Sequence, residues 1–418
     1  MDTVRLDEGL NRSTAPNGLT ILTEVLPSVR SCAIGLWVRS ASAHEPRPLM
    51  GTAHLLEHLV FKGTERRSAK AIAHELEARG GSLDAYTGRD HTNFQAHILD
   101  ADLPAAVDVL TDLVRRPLLR PADLDLERKV VLEEIGMVED TPDDLVFDLH
   151  AETLWPTHPY GYSILGTRDT VSALGTSELQ EFHRAGYYPG NIVIAAAGRL
   201  DHDQVTGLLE HEGWFDVPAF GEARAPVTGA PASRGVERRV KRDGNQVHVV
   251  IGTDTFSGRD RRRVGLALLA NALGGGMSSR LFQRVREELG LAYAVYSYQS
   301  GFQASGVAGT YVATAPGTAD KAVAAILAEY ALVAREGLPV EELQAQKLQL
   351  KGQIMLGLES PVSRMGRLAG YALSGDKYRT LDQILAEVDA VTADEVAALG
   401  AEFFAPERQT VVRLGPEA

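Results

Sequence analysis

Two successive α+β domains of similar construction are what this sequence predicts. Three observations predict them. The chain has 418 residues, and domains run to roughly 100–200 residues. The clearest break in composition, Asp216 to Val236, falls near the middle and holds Pro218, Gly221, Pro226, Gly229, Pro231 and Gly235 without sustained periodicity, as a linker does. Each half opens and closes on β-rich runs with helical patterns between them. The boundaries expected are therefore 1–216, a linker at 217–236, and 237–418.

The elements follow in order. Leu19–Val25 and Ala33–Val38 read as the first strands, and Ile192–Ala197 closes the first half. Gln246–Ile251 opens the second half and Thr410–Leu414 closes it. Helical patterns cover Ala69–Arg79, Leu103–Arg115 and Ala393–Phe404. The last begins with Thr392 followed three residues on by Glu395, a capping-box signature. Strands followed by helices, twice over, point to α+β domains rather than a doubly wound sheet.

Composition excludes several classes. Hydrophobic residues at 44% and charged residues at 23% are ordinary for a globular chain and exclude a disordered or collagen-like one. A net charge of −14 argues against non-specific nucleic-acid binding and against docking on an anionic membrane. The single cysteine, Cys32, permits no intrachain disulfide, and its apolar neighbours make it a buried strand residue. The acidic opening Met1 to Glu8 leads to the expectation of no signal sequence, and the sequence holds no apolar run of about 18 residues. A cytoplasmic location is the expectation.

An internal repeat emerges when the numbering is shifted by 213. His54-Leu55-Leu56-Glu57-His58 then lies over Ala267-Leu268-Leu269-Ala270-Asn271, and Gly63 over Gly276. The similarity is weak but keeps its order. It fails at His54, Glu57 and His58, so chemistry carried by those groups in the first half is absent from the second.

That pentapeptide is an H-x-x-E-H pattern. On a helix its three polar residues share one face. Both imidazoles then reach one metal ion with the carboxylate alongside, a pattern known as the inverzincin motif. The bland alternative is a solvated helix face. Against it stand Leu55, Leu56, Leu59, Val60 and Phe61, which make the helix largely buried, and buried charge needs a reason. A catalytic zinc also needs a third protein ligand and an open position. The candidate source is the helix from Leu124 to Asp140. Glu127 and Glu134 stand two turns apart on one face, Leu126, Val130 and Ile135 mark an apolar stripe nearby, and Glu133 is placed about 100° round, toward solvent. Surface carboxylates on an acidic helix are the alternative.

His54-Leu-Leu-Glu-His-Leu-Val-Phe-Lys-Gly-Thr64, with Glu127 and Glu134 downstream, resembles the pitrilysin/insulinase family of zinc metallopeptidases. Its length and flanks look most like the processing-peptidase subfamily, the bacterial relatives of the mitochondrial processing peptidase β subunit. The resemblance continues through Asp84-Ala-Tyr-Thr87, Ala195-Ala-Ala-Gly198, Gly274 to Phe282 and Arg286 to Tyr293. It implies two similar domains, each an antiparallel-rich sheet covered by helices on one face. It implies Zn²⁺ held by His54, His58 and Glu134, with Glu57 as general base and Glu127 supporting a ligand. It further implies that Arg286 and Tyr293 of the second half help bind substrate and stabilise the oxyanion, with Arg284 a substitute in another alignment register. Unfolded peptides would be the substrates, bound extended along a strand edge near Ser82 to Tyr86. Two chains would pair, as a homodimer or with a related subunit, and enclose a chamber. The only glycine-rich stretch matching the long loop of the non-catalytic mitochondrial subunit is Gly274-Gly275-Gly276-Met277, which points to a catalytic chain. A non-catalytic core-type or partner subunit is the alternative. A binding module with a structural zinc fits less well, since such sites close all four positions with Cys and His.

Overall fold

A computed structural model describes residues 1–219 and 227–416. In chain order the strands are β1 (Asp2–Asp7), β2 (Leu10–Thr14), β3 (Thr20–Val25), β4 (Ser31–Val38), β5 (Ser82–Thr87), β6 (Thr92–Leu99), β7 (Ile192–Gly198), β8 (Glu237–Lys241), β9 (Val247–Thr255), β10 (Ala292–Gly301), β11 (Gly306–Thr314) and β12 (Thr410–Gly415). The α-helices are α1 (Thr52–Val60), α2 (Ala69–Glu77), α3 (Leu103–Arg115), α4 (Pro121–Asp140), α5 (Pro142–Leu154), α6 (Arg168–Ala173), α7 (Thr176–Gly186), α8 (His202–His211), α9 (Arg263–Gly274), α10 (Ala319–Glu336), α11 (Val340–Gly357), α12 (Pro361–Ser374), α13 (Leu381–Ala390) and α14 (Ala393–Phe403). Of the linker expected at 217–236, the described part holds no regular element, and 220–226 lie outside the described residues.

The chain forms two compact units. One comprises Met1–Ile135, Ser163–Pro226 and Leu356–Tyr378; the other comprises Gly136–Tyr162, Val227–Met355 and Arg379–Ala418. Both are α+β. The first sheet runs β1-β2-β3-β7-β4-β6-β5 and the second runs β10-β11-β9-β12-β8. Read from the other edge, the second sheet repeats the order β3-β7-β4-β6-β5 strand for strand. Each contains one parallel pair, β3 with β7 and β8 with β12, among antiparallel neighbours. The repeat that is faint in the residues is plain in the topology, because the sheet order depends on where apolar runs fall rather than on residue identity.

Period-two alternation explains the core. In β4, Cys32, Ile34, Leu36 and Val38 face a large cluster with Leu55, Leu59, Leu110 and Leu113 of α1 and α3. Ala33 and Trp37 face the opposite side, against Met365, Leu368 and Ala369 of α12. The continuous apolar run of β4 thus reflects burial on both faces. The second sheet is built likewise, with Val250 and Val412 packed on Val146 of α5. The helical layer expected on one face is therefore joined by a single helix on the other. Each such helix belongs, by sequence, to the opposite side of the linker. Nothing in its local pattern marks that placement.

Candidate metal centre

Helix α1 starts where it does for steric and electrostatic reasons. Gly51 precedes it at φ +92°, and a Cβ there would sit 2.6 Å from the Leu165 carbonyl oxygen. The buried Glu45 carboxylate accepts the N–H groups of Gly51 at 2.8 Å and Ala53 at 2.6 Å. It satisfies donors that the first helical turn leaves open, and its charge suits the positive helix end. Glu45→Ala should destabilise the protein by at least about 1–3 kcal/mol, since buried N–H groups lose their acceptor. A denaturation midpoint unchanged from the parent protein would show the carboxylate to be dispensable.

Leu55, Leu56, Leu59 and Val60 enter the core, which turns His54, Glu57 and His58 toward α4. On α4 the buried positions are Leu124, Glu127, Val131 and Ile135. That phase brings Glu127 and Glu134 to α1 and leaves Glu133 exposed. It also corrects the apolar stripe expected beside them. Ile135 is buried, but Leu126 and Val130 are 60% and 49% exposed, because they lie about 100° off the inward face.

One carboxylate oxygen of Glu134 stands 3.6 Å from His54 Nε2 and 3.6 Å from His58 Nε2. The ligand atoms of the three residues all lie within 4.8 Å of one another. Ligands held at 2.0–2.2 Å around a tetrahedral ion are about 3.3–3.6 Å apart, so the donor set fits a metal of that size. Behind His58, Glu127 Oε2 lies 3.2 Å from Nδ1, and Lys62 Nζ lies 2.7 Å from Glu127 Oε1. A carboxylate only accepts hydrogen bonds. The contact therefore has His58 Nδ1–H donating to Glu127, and Nε2 is the nitrogen a metal at the cluster would take. Glu57 is not part of the three-residue cluster; its Oε2 accepts a hydrogen bond from the Thr87 hydroxyl at 2.6 Å.

The electrostatics suit ligation and proton transfer. Burial, with the neighbouring His58 adding to it, lowers His54 to about 4, so its imidazole is neutral at pH 7. Burial also raises the Glu57 carboxyl, Glu134 adding to it, while the Thr87 hydrogen bond and His58 oppose the rise. A carboxylate pushed upward is better able to take and return a proton near neutral pH.

In the second unit Arg286 lies in a stretch of wide helical winding, Phe282–Glu288, of the kind frequent at functional sites. Its guanidinium stacks 4.8 Å from the Tyr293 ring centre and 4.6 Å from that of Phe282. Arg284 instead pairs with Glu288 at 2.6 Å, so Arg286 is the arginine beside Tyr293. Tyr293 is 80% exposed. Where α1 has ligands, α9 has Asn271, which donates to Gln346 of α11, and Lys347 is buried with Nζ bonded to the Asp389 carbonyl. An amide pair thus joins α9 to α11, and Lys347 ties α11 to α13, where the first unit has imidazole and carboxylate.

A family model described as Insulinase (Peptidase family M16) matches residues 20–168. One described as Peptidase M16 inactive domain matches residues 174–350. An uncharacterized zinc protease of Streptomyces coelicolor is 40% identical over 97% of this chain and 90% of its own length. The chain belongs to the peptidase M16, or insulinase, family. Other members similar to it include an uncharacterized zinc protease of Mycobacterium leprae, 41% identical over 98% of this chain and 92% of its own. The uncharacterized zinc protease YmxG of Bacillus subtilis is 37% identical over 94% of this chain and 96% of its own. The M16 fold recurs in the crystal structure of a protease from Helicobacter pylori, with a TM-score of 0.91, 22% identity and coverage of 96% and 98%. Among the described residues, no helix is long and apolar enough to cross a membrane.

The cluster residues and Glu127 were legible as a pattern. Lys62, Thr87 and Glu45 carry no local signal of their own, although Lys62 and Thr87 stand inside the stretches that carry the resemblance. Lys62 and Thr87 act through side chains 65 and 30 positions away, and Glu45 through backbone N–H groups 6 and 8 positions on; no residue pattern marks these contacts.

Proposed function

We propose that this chain is a zinc metalloendopeptidase acting on unfolded peptides. The observation that carries the proposal is the convergence of His54, His58 and Glu134 on one point, with Glu57 beside them on α1. The zinc-protease names of the relatives support the choice of ion. When bound, zinc lowers the pKa of a coordinated water toward about 7 and polarises the scissile carbonyl. His54, His58 and Glu134 would hold it and leave a position open. Glu57 would take the proton of the attacking water and deliver it to the leaving amine.

Strand β5 supports the way a peptide would be held. Among the described residues it is an edge strand of its sheet, paired with β6 alone, and an extended chain can add to such an edge through main-chain hydrogen bonds. Arg286 and Tyr293 offer a cation and an exposed hydroxyl suited to an oxyanion or a substrate carbonyl. A homodimer, or pairing with a related subunit, is proposed for the assembly, and a cytoplasmic location for the protein. The alternative of a non-catalytic subunit finds no support in the first unit, where both imidazoles and all three carboxylates stand together.

The test is peptide cleavage by the purified chain with and without a chelator. Chelator-sensitive cleavage is expected, and cleavage indifferent to metal removal would overturn the proposal. Glu127→Gln tests the support behind His58. Loss of its charge leaves Lys62 without its ion pair and weakens the orientation of the ligand. Zinc affinity should fall about 10–100-fold, as read by competition with a chromogenic chelator; an unchanged affinity would show that Glu127 does not tune the site.

A further inference from the structure

The geometry points to Thr87 as the positioning residue of Glu57, fixing the base to the same strand edge on which the peptide lies. This rests on the peptidase function proposed above and names how the base is aimed. Thr87 is the last residue of β5, and alternation along that strand puts its side chain on the half-buried face with Leu83 and Ala85. Those two pack against the core that α1 enters. Its hydroxyl donates to Glu57 Oε2 at 2.6 Å, the short distance of a charge-assisted bond. With Oε2 so held, swinging the carboxylate about its terminal torsion costs that bond, and Oε1 is the oxygen left to meet the water.

The backbone around Thr87 is itself pinned. Thr87 stands opposite Thr92 in the β5–β6 ladder. The next residue, Gly88, donates its N–H to the His91 carbonyl at 2.9 Å. The Gly88 carbonyl accepts the Ser42 hydroxyl at 3.1 Å, and Ala43 donates to the Arg89 carbonyl at 2.9 Å. The β-branched side chain adds stiffness at χ1. A peptide adding to the outer edge of β5 would take its register from the same backbone that carries Thr87. One short strand would then set both the scissile bond and the base, and an error in placing one would be shared by the other.

The experiment compares Thr87→Val, Thr87→Ala and Thr87→Ser in the full chain, each alone and with Glu57→Gln. Valine keeps the shape and lacks the donor; alanine also lacks the donor, so misfolding of either one does not decide the matter. In the two donor-less variants kcat should fall about 10–100-fold. KM, zinc content and the affinity of the metal-free protein for the same peptide, read by fluorescence anisotropy, should stay within about two-fold. Serine should restore most of kcat. On a Glu57→Gln background the donor-less changes should cost nothing further, because both act through one contact. An undiminished kcat in Thr87→Val or Thr87→Ala, a serine variant as slow as valine, a loss of zinc, or a full additional loss on the Glu57→Gln background would each overturn the assignment. A parent chain with no chelator-sensitive cleavage would instead overturn the peptidase proposal itself, and is distinguished by being measured first.

Discussion

Glu57→Gln is expected to reduce peptide cleavage by at least about 10²-fold while zinc stays bound. The amide is nearly the same size as the carboxylate, so the packing of α1 is preserved. It cannot accept a proton at neutral pH. Glu57 is not one of the three grouped ligand residues, so metal content should not follow activity. The Thr87 hydroxyl still finds an acceptor in the amide oxygen, which keeps the side chain in place and isolates the loss of basicity. Turnover and zinc content measured on one preparation check this. Near-normal turnover would remove Glu57 from the role of base.

Removing ligands should do the reverse and take the metal with the activity. His58→Ala or Glu134→Ala leaves two of three donors, and affinity should fall by more than the roughly 10–100-fold that an outer partner commands. The double variant should retain no stoichiometric zinc. His58→Ala also strips Glu127 of its imidazole contact, leaving Lys62 as its ion-pair partner. The vacancy is thus electrically tolerable, and the helices should still pack. Loss of zinc with an unaltered far-ultraviolet spectrum would be the expected pairing. Stoichiometric zinc in the double variant would place the metal elsewhere.

What could be read in advance follows a physical line. The strands at 20–25, 31–38, 192–198 and 410–415 were visible because runs of β-branched and small apolar residues are local signals. The capping box at Thr392 and Glu395 forms as its spacing requires. Cys32 is fully buried in β4, as its neighbours demanded. The i, i+3, i+4 and seven-residue spacings placed His54, Glu57, His58, Glu127 and Glu134 on helix faces, since helical geometry fixes those relations without tertiary knowledge. Partnerships that depend on the fold were not legible. The Glu57–Thr87 bond joins a helix to a strand 30 positions on. The stripe at Leu126 and Val130 misled because an apolar residue on an acidic helix need not face inward. The placement of α5 and α12 over the second face of each sheet has no local mark at all, since an amphipathic helix fits either face equally well.

If His54, His58 and Glu134 hold one zinc ion, crystallographic anomalous difference density at the zinc absorption edge will show it between them. A single peak is expected, about 2.0–2.2 Å from His54 Nε2, His58 Nε2 and a Glu134 carboxylate oxygen. It should vanish on the low-energy side of the edge. A zinc-loaded crystal with no peak among these three residues, or with its peak bonded to other side chains, would show that they do not form the zinc site.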